Sequence, residues 1–339
     1  MIPRDLRLLV LHVSNRCDQA CAHCSIWEQH GGRAKRELGL SERRDILREA
    51  HRLGARAVLF TGGEPLLCDH LEPLVRDARS LGLSVQIATN GLGLARTGSW
   101  LALADEVYVS IEGAKETHDA VRGPGAFARL GASISSVRDL TARPRLIGRS
   151  VISRRNAASV VETVDAARAL GLDALSFLPV DVSSPAFGGD PSRRGSLRPG
   201  VDEVAALRLG IARLEKTGQT ADFVLEDGPK LRAMADGFLS HAVAATPRCN
   251  APEWSSVVEV DGGVRPCFFQ PGVRPEAGPG LRTVRESAEY ARALHGLGPG
   301  NPICATCVCP KYLPGVSSIT ARVAAVLSRI RPRREAPSA

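Results

Sequence analysis

The sequence predicts an α/β protein: a partial (β/α)6 TIM-type barrel followed by a small C-terminal α+β cysteine-rich auxiliary domain. Strand-like and helix-like segments alternate over the first 180 residues, which is the pattern of parallel βα units. Six such units fit within about 200 residues, short of the eight units of a complete barrel. After Pro247 cysteines return, and glycine and proline become frequent. The chain therefore divides into a barrel and a smaller cysteine-rich part.

The barrel elements follow in order along the chain. Helix-like segments lie between the strands: residues 41–54 open with Ser41 as the predicted N-cap and end at Gly54, and residues 157–171 carry apolar side chains at helical spacing. Short apolar runs predict the strands at 6–13, 57–62, 84–89, 106–111, 146–152 and 174–180.

Beyond the barrel strands the pattern becomes irregular. Residues 179–199 are rich in serine, glycine and proline and predict a long loop, and a helix is expected at 202–217. A short strand is expected at 222–226, and residues 256–267 predict a hairpin closed by Asp-Gly. The expected domains are a barrel at 1–200, a connecting segment at 201–240, a cysteine-rich domain at 241–315 and a basic amphipathic tail at 316–339.

Composition limits the classes of protein that need to be considered. The 339 residues contain no run of 18 apolar residues, and the N-terminus lacks the pattern of a signal peptide. Nine cysteines without an export signal indicate a reducing, cytoplasmic setting. The net charge is +8, but the tail from Val316 carries five arginines against one glutamate, so half of the excess lies there. The body gives little reason to expect nucleic-acid binding.

The tail has its own pattern. Apolar residues between Ile319 and Ile330 fall on one helical face, with arginines opposite. This face is typical of a helix that docks on the barrel. The alternative is an interfacial helix that contacts anionic lipid or a partner protein.

Three cysteines crowd the end of the first strand. Cys17, Cys21 and Cys24 lie within eight positions, and neither a strand nor a helix would place all three on one buried face. Converging thiolates most often hold a metal or an iron–sulfur cluster. A [4Fe–4S] cluster has four irons to bind, so three local cysteines leave one iron open.

Polar and glycine-containing clusters end the next three strands. They are "TGGEP" at 61–65, "TNG" at 89–91 and "SIEG" at 110–113. The carboxyl ends of parallel strands meet at one edge, where ligands bind in α/β barrels. The cysteine loop shares that edge.

Together these motifs resemble the radical S-adenosylmethionine (SAM) enzymes over roughly residues 5–180. "CDQACAHC" is similar to the family's Cys-x3-Cys-x-aromatic-Cys loop, with His23 at the aromatic position. The resemblance implies that Cys17, Cys21 and Cys24 bind three irons of a [4Fe–4S] cluster and that SAM completes the fourth. Reduction of SAM would then give a 5′-deoxyadenosyl radical that abstracts a substrate hydrogen.

The resemblance also implies the residues that bind SAM. The backbone of the two glycines in "TGGEP" would approach the methionine amine, and the glutamate that follows them would anchor their turn. Asn90, Ser110 and Glu112 would hydrogen-bond to the ribose or to the methionine end. Arg149 would pair with the SAM carboxylate, and His23 and the backbone near Leu178 would flank adenine. The glycines and the anchoring glutamate are Gly62, Gly63 and Glu64.

A second cysteine set resembles the twitch module, a shortened form of the SPASM domain. Cys249 and Cys267 are separated by seventeen residues, and "ICATCVC" follows with Cys304, Cys307 and Cys309. Five cysteines imply one auxiliary [4Fe–4S] cluster held by the first four, with Cys309 either spare or in place of Cys307. A structural zinc site is the alternative. Cys68 is expected to be a small buried residue.

The function expected first is a radical SAM enzyme whose auxiliary cluster handles electrons supplied by a donor such as flavodoxin or ferredoxin. Its substrate is expected to be a peptide or protein. The alternative substrate is a small biosynthetic intermediate such as a cyclitol or sugar. The first strand begins near residue 6, so no fused leader-binding domain is expected, which lowers the expectation of a peptide but does not exclude it, since such a domain can be a separate protein. Two other classes stay open: a non-enzymatic iron–sulfur electron-transfer protein and a zinc-stabilised binding module.

Overall fold

The computed structural model describes residues 6–30, 36–188, 191–239, 249–274, 280–298, 300–305 and 307. Their strands form one eight-stranded sheet in the order β6-β5-β4-β3-β2-β1-β7-β8. The strands are β1 Leu8–Ser14, β2 Ala57–Gly62, β3 Ser84–Thr89, β4 Glu106–Ser110, β5 Arg145–Ile152, β6 Ala174–Pro179, β7 Ser255–Val258 and β8 Val264–Arg265.

Strands β1 to β6 are parallel and follow one another in sequence order, as the partial barrel requires. Both faces of these strands are largely covered. In β1, Leu9, Leu11 and Val13 are fully buried in the core, while Val10 and His12 alternate with them on the face that lines a cavity. Continuous apolar runs are typical of strands buried on both sides. The predicted fold class is therefore confirmed.

Helices connect the strands and cover the outer face of the sheet. The first one begins at Leu40 and not after Ser41: Gly39 is the cap residue, and its N–H donates to Glu42 Oε2 at 2.8 Å. The predicted Ser41 N-cap is wrong because Glu42 reaches back to the turn before it. The helices are α1 Leu40–Arg52, α2 Leu71–Ser80, α3 Lys115–Arg122, α4 Ala126–Arg138, α5 Val160–Ala169, α6 Val201–Lys216, α7 Gln219–Asp222, α8 Gly228–Leu239, α9 Ala251–Trp254, α10 Leu281–Arg285, α11 Ala288–His295 and α12 Pro302–Ala305, with 3₁₀ helices at Ile26–His30, Pro65–Leu67, Leu94–Arg96, Gly98–Leu103, Ala157–Ser159 and Pro191–Leu197.

The predicted strand at 222–226 does not form. Val224 makes a single β-bridge, to Leu175, and α7 ends at Asp222, two residues before Val224. The edge of β6 is satisfied in another way, because the buried Glu226 carboxylate accepts hydrogen bonds from Ser176 Oγ at 3.0 Å and Phe177 N at 2.8 Å. A side chain thus replaces part of the backbone ladder that a seventh barrel strand would supply.

The long loop after β6 is held by a buried arginine. Arg194, in the 3₁₀ helix, donates to the carbonyl oxygens of Ser184 and Gly188, both at 2.7 Å. Such charge-assisted bonds fix the irregular backbone where secondary structure does not. This part of the loop therefore has a defined shape beside the cluster loop, where Ser25 N donates to Phe187 O at 2.8 Å.

The predicted hairpin forms as β7 and β8, and it joins the barrel sheet. Gly262 in its turn has φ +88°, which favours glycine, and Val257 and Val258 pair with β8. Strand β7 also pairs in parallel with β1, from Leu8 opposite Ser255 to Leu11 opposite Val258. The cysteine-rich segment therefore extends the barrel sheet. Its treatment as a separate domain at 241–315 stays a prediction.

Within the described ranges, no helix has the length and apolar character needed to cross a membrane. The amphipathic tail expected at 316–339 lies outside the described residues.

Candidate active site

A cavity of about 380 Å³ lies on the inner face of the sheet, and both cysteine sets reach it. Every strand from β1 to β6 contributes to its wall. Among the residues predicted for the SAM site, those in the wall are Cys17, Cys21, His23, Cys24, Gly62, Gly63, Asn90, Ser110, Arg149 and Leu178.

The loop with the first three cysteines is pinned to neighbouring elements by its backbone. Ala22 N donates to Val121 O at 3.0 Å, and Cys24 N donates to Cys21 O at 3.2 Å. Burial raises the pKa of the Cys17 thiol to about 12 and that of Cys24 to about 11, and it also raises the pKa of Cys21. Metal binding would replace these protons. Three thiols on one loop and in one cavity wall, with Cys21 buried and Cys17 and Cys24 half-buried, fit an iron–sulfur cluster.

Two glycines bring the "TGGEP" turn against this loop. A Cβ atom on Gly62 would collide with the Ser14 carbonyl oxygen, and one on Gly63 would collide with that of Arg16. Gly63 N and Glu64 N donate to those same two oxygens, each at 2.7 Å. The glycines are therefore required for the close approach of two backbones, and this requirement is separate from the contact with SAM predicted for them.

Glu64 joins the ends of β2 and β3. Its buried carboxylate accepts from Leu66 N at 3.0 Å, Thr89 Oγ1 at 2.6 Å and Asn90 N at 2.7 Å. Burial raises the pKa of Glu64 to about 7, while these hydrogen bonds act in the opposite direction. The three bonds fix the turn that carries the two glycines.

Two further predicted residues have internal partners as well as a place in the wall. Asn90 Nδ2 donates to Asp18 Oδ1 at 2.6 Å, which ties the end of β3 to the cluster loop. Ser110 Oγ donates to Thr89 O at 3.2 Å. Both side chains retain hydrogen-bonding capacity toward the cavity.

Glu112 is not among the residues of the wall. It is fully buried, and its oxygens accept from Arg122 Nη2 at 2.6 Å and from Val151 N at 2.9 Å. Burial disfavours the charge, but the Arg122 guanidinium holds the pKa of Glu112 below its usual value. Arg122 itself lies in the wall, so Arg122 stands between Glu112 and the cavity. A direct bond from Glu112 to SAM stays a prediction without support from this geometry.

The remaining predicted SAM contacts line the cavity from three elements. Burial lowers the pKa of His23 to about 4, so its imidazole is neutral at ordinary pH. Arg149, on β5, lies with its guanidinium carbon 3.9 Å from the Tyr108 ring centroid, a cation–π arrangement. Leu178 lies near the end of β6.

The second cysteine set meets the same cavity. Cys249, Cys267 and Cys307 are in its wall, and Cys304 Sγ accepts from Gln270 Nε2 at 3.5 Å. Burial, together with neighbouring Cys249 and Cys304, raises the pKa of Cys267 to about 11. Cys309 lies outside the described residues.

Over the described part of the chain, no three histidine, cysteine or acidic side chains meet closely enough to hold a single metal ion. In a four-iron cluster each thiolate binds a different iron, whereas a zinc ion would gather all of its thiolates at one point. The choice between an auxiliary cluster and a zinc site at the second set stays a prediction.

His12 is a wall residue that the sequence reasoning missed. It is 6% exposed, its Nε2 has no hydrogen-bond partner among the described residues, and burial lowers its pKa to about 4. Its ring packs against Phe268 with centroids 6.0 Å apart. The sequence does contain a sign of this role, because His12 is a histidine within the otherwise apolar run that forms β1. Arg122 and Gln19 were likewise not assigned as site residues.

His12 also borders a second cavity of about 320 Å³. This cavity lies between the loop at 185–188 and the hairpin segment at 259–274. Its charged side chains pair with one another: Arg265 Nη2 lies 2.5 Å from Glu259 Oε1, and Arg274 Nη2 lies 2.7 Å from Glu259 Oε2. A polar chamber thus adjoins the cavity with the thiols.

Comparison with solved structures supports the fold. The chain is similar to Streptococcus suis SuiB, solved bound to the precursor peptide SuiA, with a TM-score of 0.64 and 16% identity over 87% of this chain and 67% of that one.

Two curated relatives are similar in sequence. A GTP 3′,8-cyclase of Mycobacterium marinum is 30% identical over 78% of this chain and 74% of its own. A PqqA peptide cyclase of Streptomyces rochei is 30% identical over 70% of this chain and 66% of its own. Residues 11–180, half of the chain, match the Radical SAM superfamily. The chain therefore belongs to the radical SAM superfamily, whose enzymes use a [4Fe–4S] cluster and SAM.

Proposed function

We propose that this radical SAM enzyme modifies a peptide or protein and uses an auxiliary [4Fe–4S] cluster to handle electrons. The observation that carries the proposal is a single cavity whose wall contains Cys17, Cys21 and Cys24 together with Cys249, Cys267 and Cys307. Two sets of thiols that share one cavity can serve one substrate.

The first three cysteines would hold the cluster that, when bound, supplies one electron for the cleavage of SAM. The chain's own residues bind and orient the cosubstrate. Asn90 and Ser110 present hydrogen-bonding groups from the ends of β3 and β4, and Arg149 offers a guanidinium for the carboxylate. His23, kept neutral by burial, and Leu178 would flank adenine without adding charge.

The second set, Cys249, Cys267, Cys304 and Cys307, would enclose the auxiliary cluster. With four thiolates, each iron has a protein ligand, so substrate would not bind iron directly. The role left for this site is to accept or deliver an electron after hydrogen abstraction. An external donor such as flavodoxin or ferredoxin would reduce the first cluster.

The peptide substrate is supported by two relatives. One is named as a peptide cyclase, and the structure of SuiB contains a precursor peptide. The polar second cavity beside the hairpin offers room for residues that flank the reacting one. A small-molecule substrate is the alternative, and the GTP 3′,8-cyclase relative favours it.

The test begins with the anaerobically reconstituted, reduced full chain and SAM. Release of 5′-deoxyadenosine is expected, whereas an electron-transfer protein would release none. Co-expression with short open reading frames beside the gene should then give a peptide whose mass changes only when Cys17, Cys21 and Cys24 are intact. A mass change in a sugar or cyclitol, with all such peptides unchanged, would favour the alternative.

A further inference from the structure

Arg122, the last residue of α3, uses its guanidinium to connect a buried carboxylate to the cluster loop. Its Nε and Nη2 donate to Glu112 Oε1 at 3.0 and 2.6 Å. Its Nη1 donates to Gln19 Oε1 at 3.2 Å and to Cys21 Sγ at 3.6 Å. The residue is 8% exposed and lies in the cavity wall.

The guanidinium is held in one orientation. Glu112 is fully buried, and its second oxygen is fixed by the Val151 N–H on β5. Two donors of Arg122 therefore bond to a carboxylate that cannot turn, and a buried, charge-assisted pair of this kind is strong and directional. The third nitrogen is left directed toward Gln19 and Cys21.

We infer that Arg122 is a positioning residue that orients Cys21 and raises the reduction potential of the cluster it binds, with Glu112 holding the guanidinium in place. The inference rests on the assignment of that cluster to Cys17, Cys21 and Cys24. A hydrogen bond to a ligand sulfur stabilises the more negative, reduced cluster more than the oxidised one, so it raises the potential. One electron enters the cluster from the external donor, and no proton or bond is exchanged with Arg122.

The test measures the midpoint potential of the cluster whose electron paramagnetic resonance signal changes on addition of SAM. Arg122→Gln should move that potential in the negative direction at unchanged iron content. Because this variant leaves buried Glu112 without its cation, which is destabilising, the double variant Glu112→Gln with Arg122→Gln is measured as well. It removes both charges, so neither buried charge is left without its partner.

The chain offers a matched control in Arg43. This arginine is also fully buried and donates to a cysteine sulfur, Cys68 at 3.5 Å, but Cys68 is not an expected cluster ligand. Arg43→Gln should leave the potential of the SAM-responsive cluster at the wild-type value. Loss of that cluster from the double variant alone, with Arg43→Gln retaining it, would also support a contact that orients Cys21.

The inference is overturned if the double variant keeps its iron and its potential equals that of the wild type. Absence of a SAM-responsive cluster signal in the wild type would be a different result. It would overturn the proposed cluster and not the role of Arg122 alone.

Discussion

Buried carboxylates at the site differ in what surrounds them. Glu64 accepts hydrogen bonds from neutral N–H and O–H groups, and burial keeps its pKa at about 7, whereas Glu112 pairs with Arg122 and its pKa is held low. Desolvation sets the direction of the pKa shift at Glu64, and a neighbouring cation sets it at Glu112. The sequence shows two glutamates after two strands, but it does not show which one has the arginine.

Glu64 should make stability depend on pH. Its folded pKa of about 7 exceeds its ordinary 4.5, so the folded state binds the proton more tightly. Its contribution favours folding below pH 4.5 and is lost as pH rises to 7. The loss should be about 3 kcal/mol, because each tenfold difference in proton affinity between the two states is worth about 1.4 kcal/mol. The Glu64→Gln side chain is neutral at every pH, so this variant should lack the loss of stability between pH 4.5 and 7. The measurement is the free energy of unfolding in urea at several pH values across that range.

The control is Glu72→Gln, whose side chain is 43% exposed. Its free energy of unfolding should change with pH as that of the wild type does. If wild type and Glu64→Gln run parallel from pH 4.5 to 7, Glu64 does not carry a raised pKa in the folded protein.

Gly63→Ala should disturb the cluster loop. The added methyl meets the backbone oxygens of Asn15 and Arg16, neither of which can move without moving the loop that carries Cys17. Iron after anaerobic reconstitution should fall from about eight to about four per chain, since only the first of two clusters depends on this loop. Gly195→Ala, where nothing lies within 4 Å of the new methyl, should keep the wild-type iron content. Full iron in Gly63→Ala would contradict the steric argument.

At the scale of elements, the periodicity of apolar residues predicted the strands and helices that form within one segment. It did not predict how segments far apart in the chain pair with one another. The six barrel strands and helix α6 follow from apolar patterns within each segment. The pairing of β7 with β1 does not, because hundreds of residues separate them and hydrophobic pattern carries no partner information. The strand predicted at 222–226 reduces to one bridge for a related reason: its backbone bonds β6 at Leu175, and the next two residues of β6, Ser176 and Phe177, bond the Glu226 side chain.

Removing that carboxylate should therefore destabilise the barrel edge. Glu226→Ala leaves the buried Phe177 N–H and the Ser176 hydroxyl without their acceptor. Unpaired buried donors cost about 1 to 3 kcal/mol, and the free energy of unfolding should fall by that amount. Glu286→Ala, which removes an exposed ion pair with Arg282, should cost less than about 0.5 kcal/mol. Equal stabilities of the two variants would mean that the edge of β6 is satisfied without Glu226.

At the scale of the whole molecule, the sheet explains how cysteines far apart in sequence reach one cavity. Strand β1 leads into the Cys17–Cys24 loop, and β7, which lies between Cys249 and Cys267, pairs directly with β1. Sequence motifs predicted each set of thiols by its spacing. That the two sets share a wall follows only from the strand pairing, as does the place of His12 between two cavities.

Because the two cysteine sets share one cavity wall, their separate roles in SAM cleavage and in electron transfer can be tested. Cys267→Ala removes one thiol of the second set, so reconstituted iron should fall from about eight to about four per chain. Release of 5′-deoxyadenosine from SAM should continue, because cleavage needs the first cluster alone. Iron analysis and quantification of 5′-deoxyadenosine on the same sample test both statements.

Cys68→Ala is the matched control, since Cys68 is equally a free thiol but is buried in the hydrophobic core. It should keep about eight irons and wild-type cleavage. Wild-type iron near four with stoichiometric zinc would replace the auxiliary cluster by a zinc site. Loss of SAM cleavage in Cys267→Ala, with Cys68→Ala unaffected, would mean that the second set supports the first cluster and does not act only after hydrogen abstraction.

Comparing Cys307→Ala with Cys309→Ala then identifies the fourth ligand, because only the variant that lacks it should lose the second set of irons.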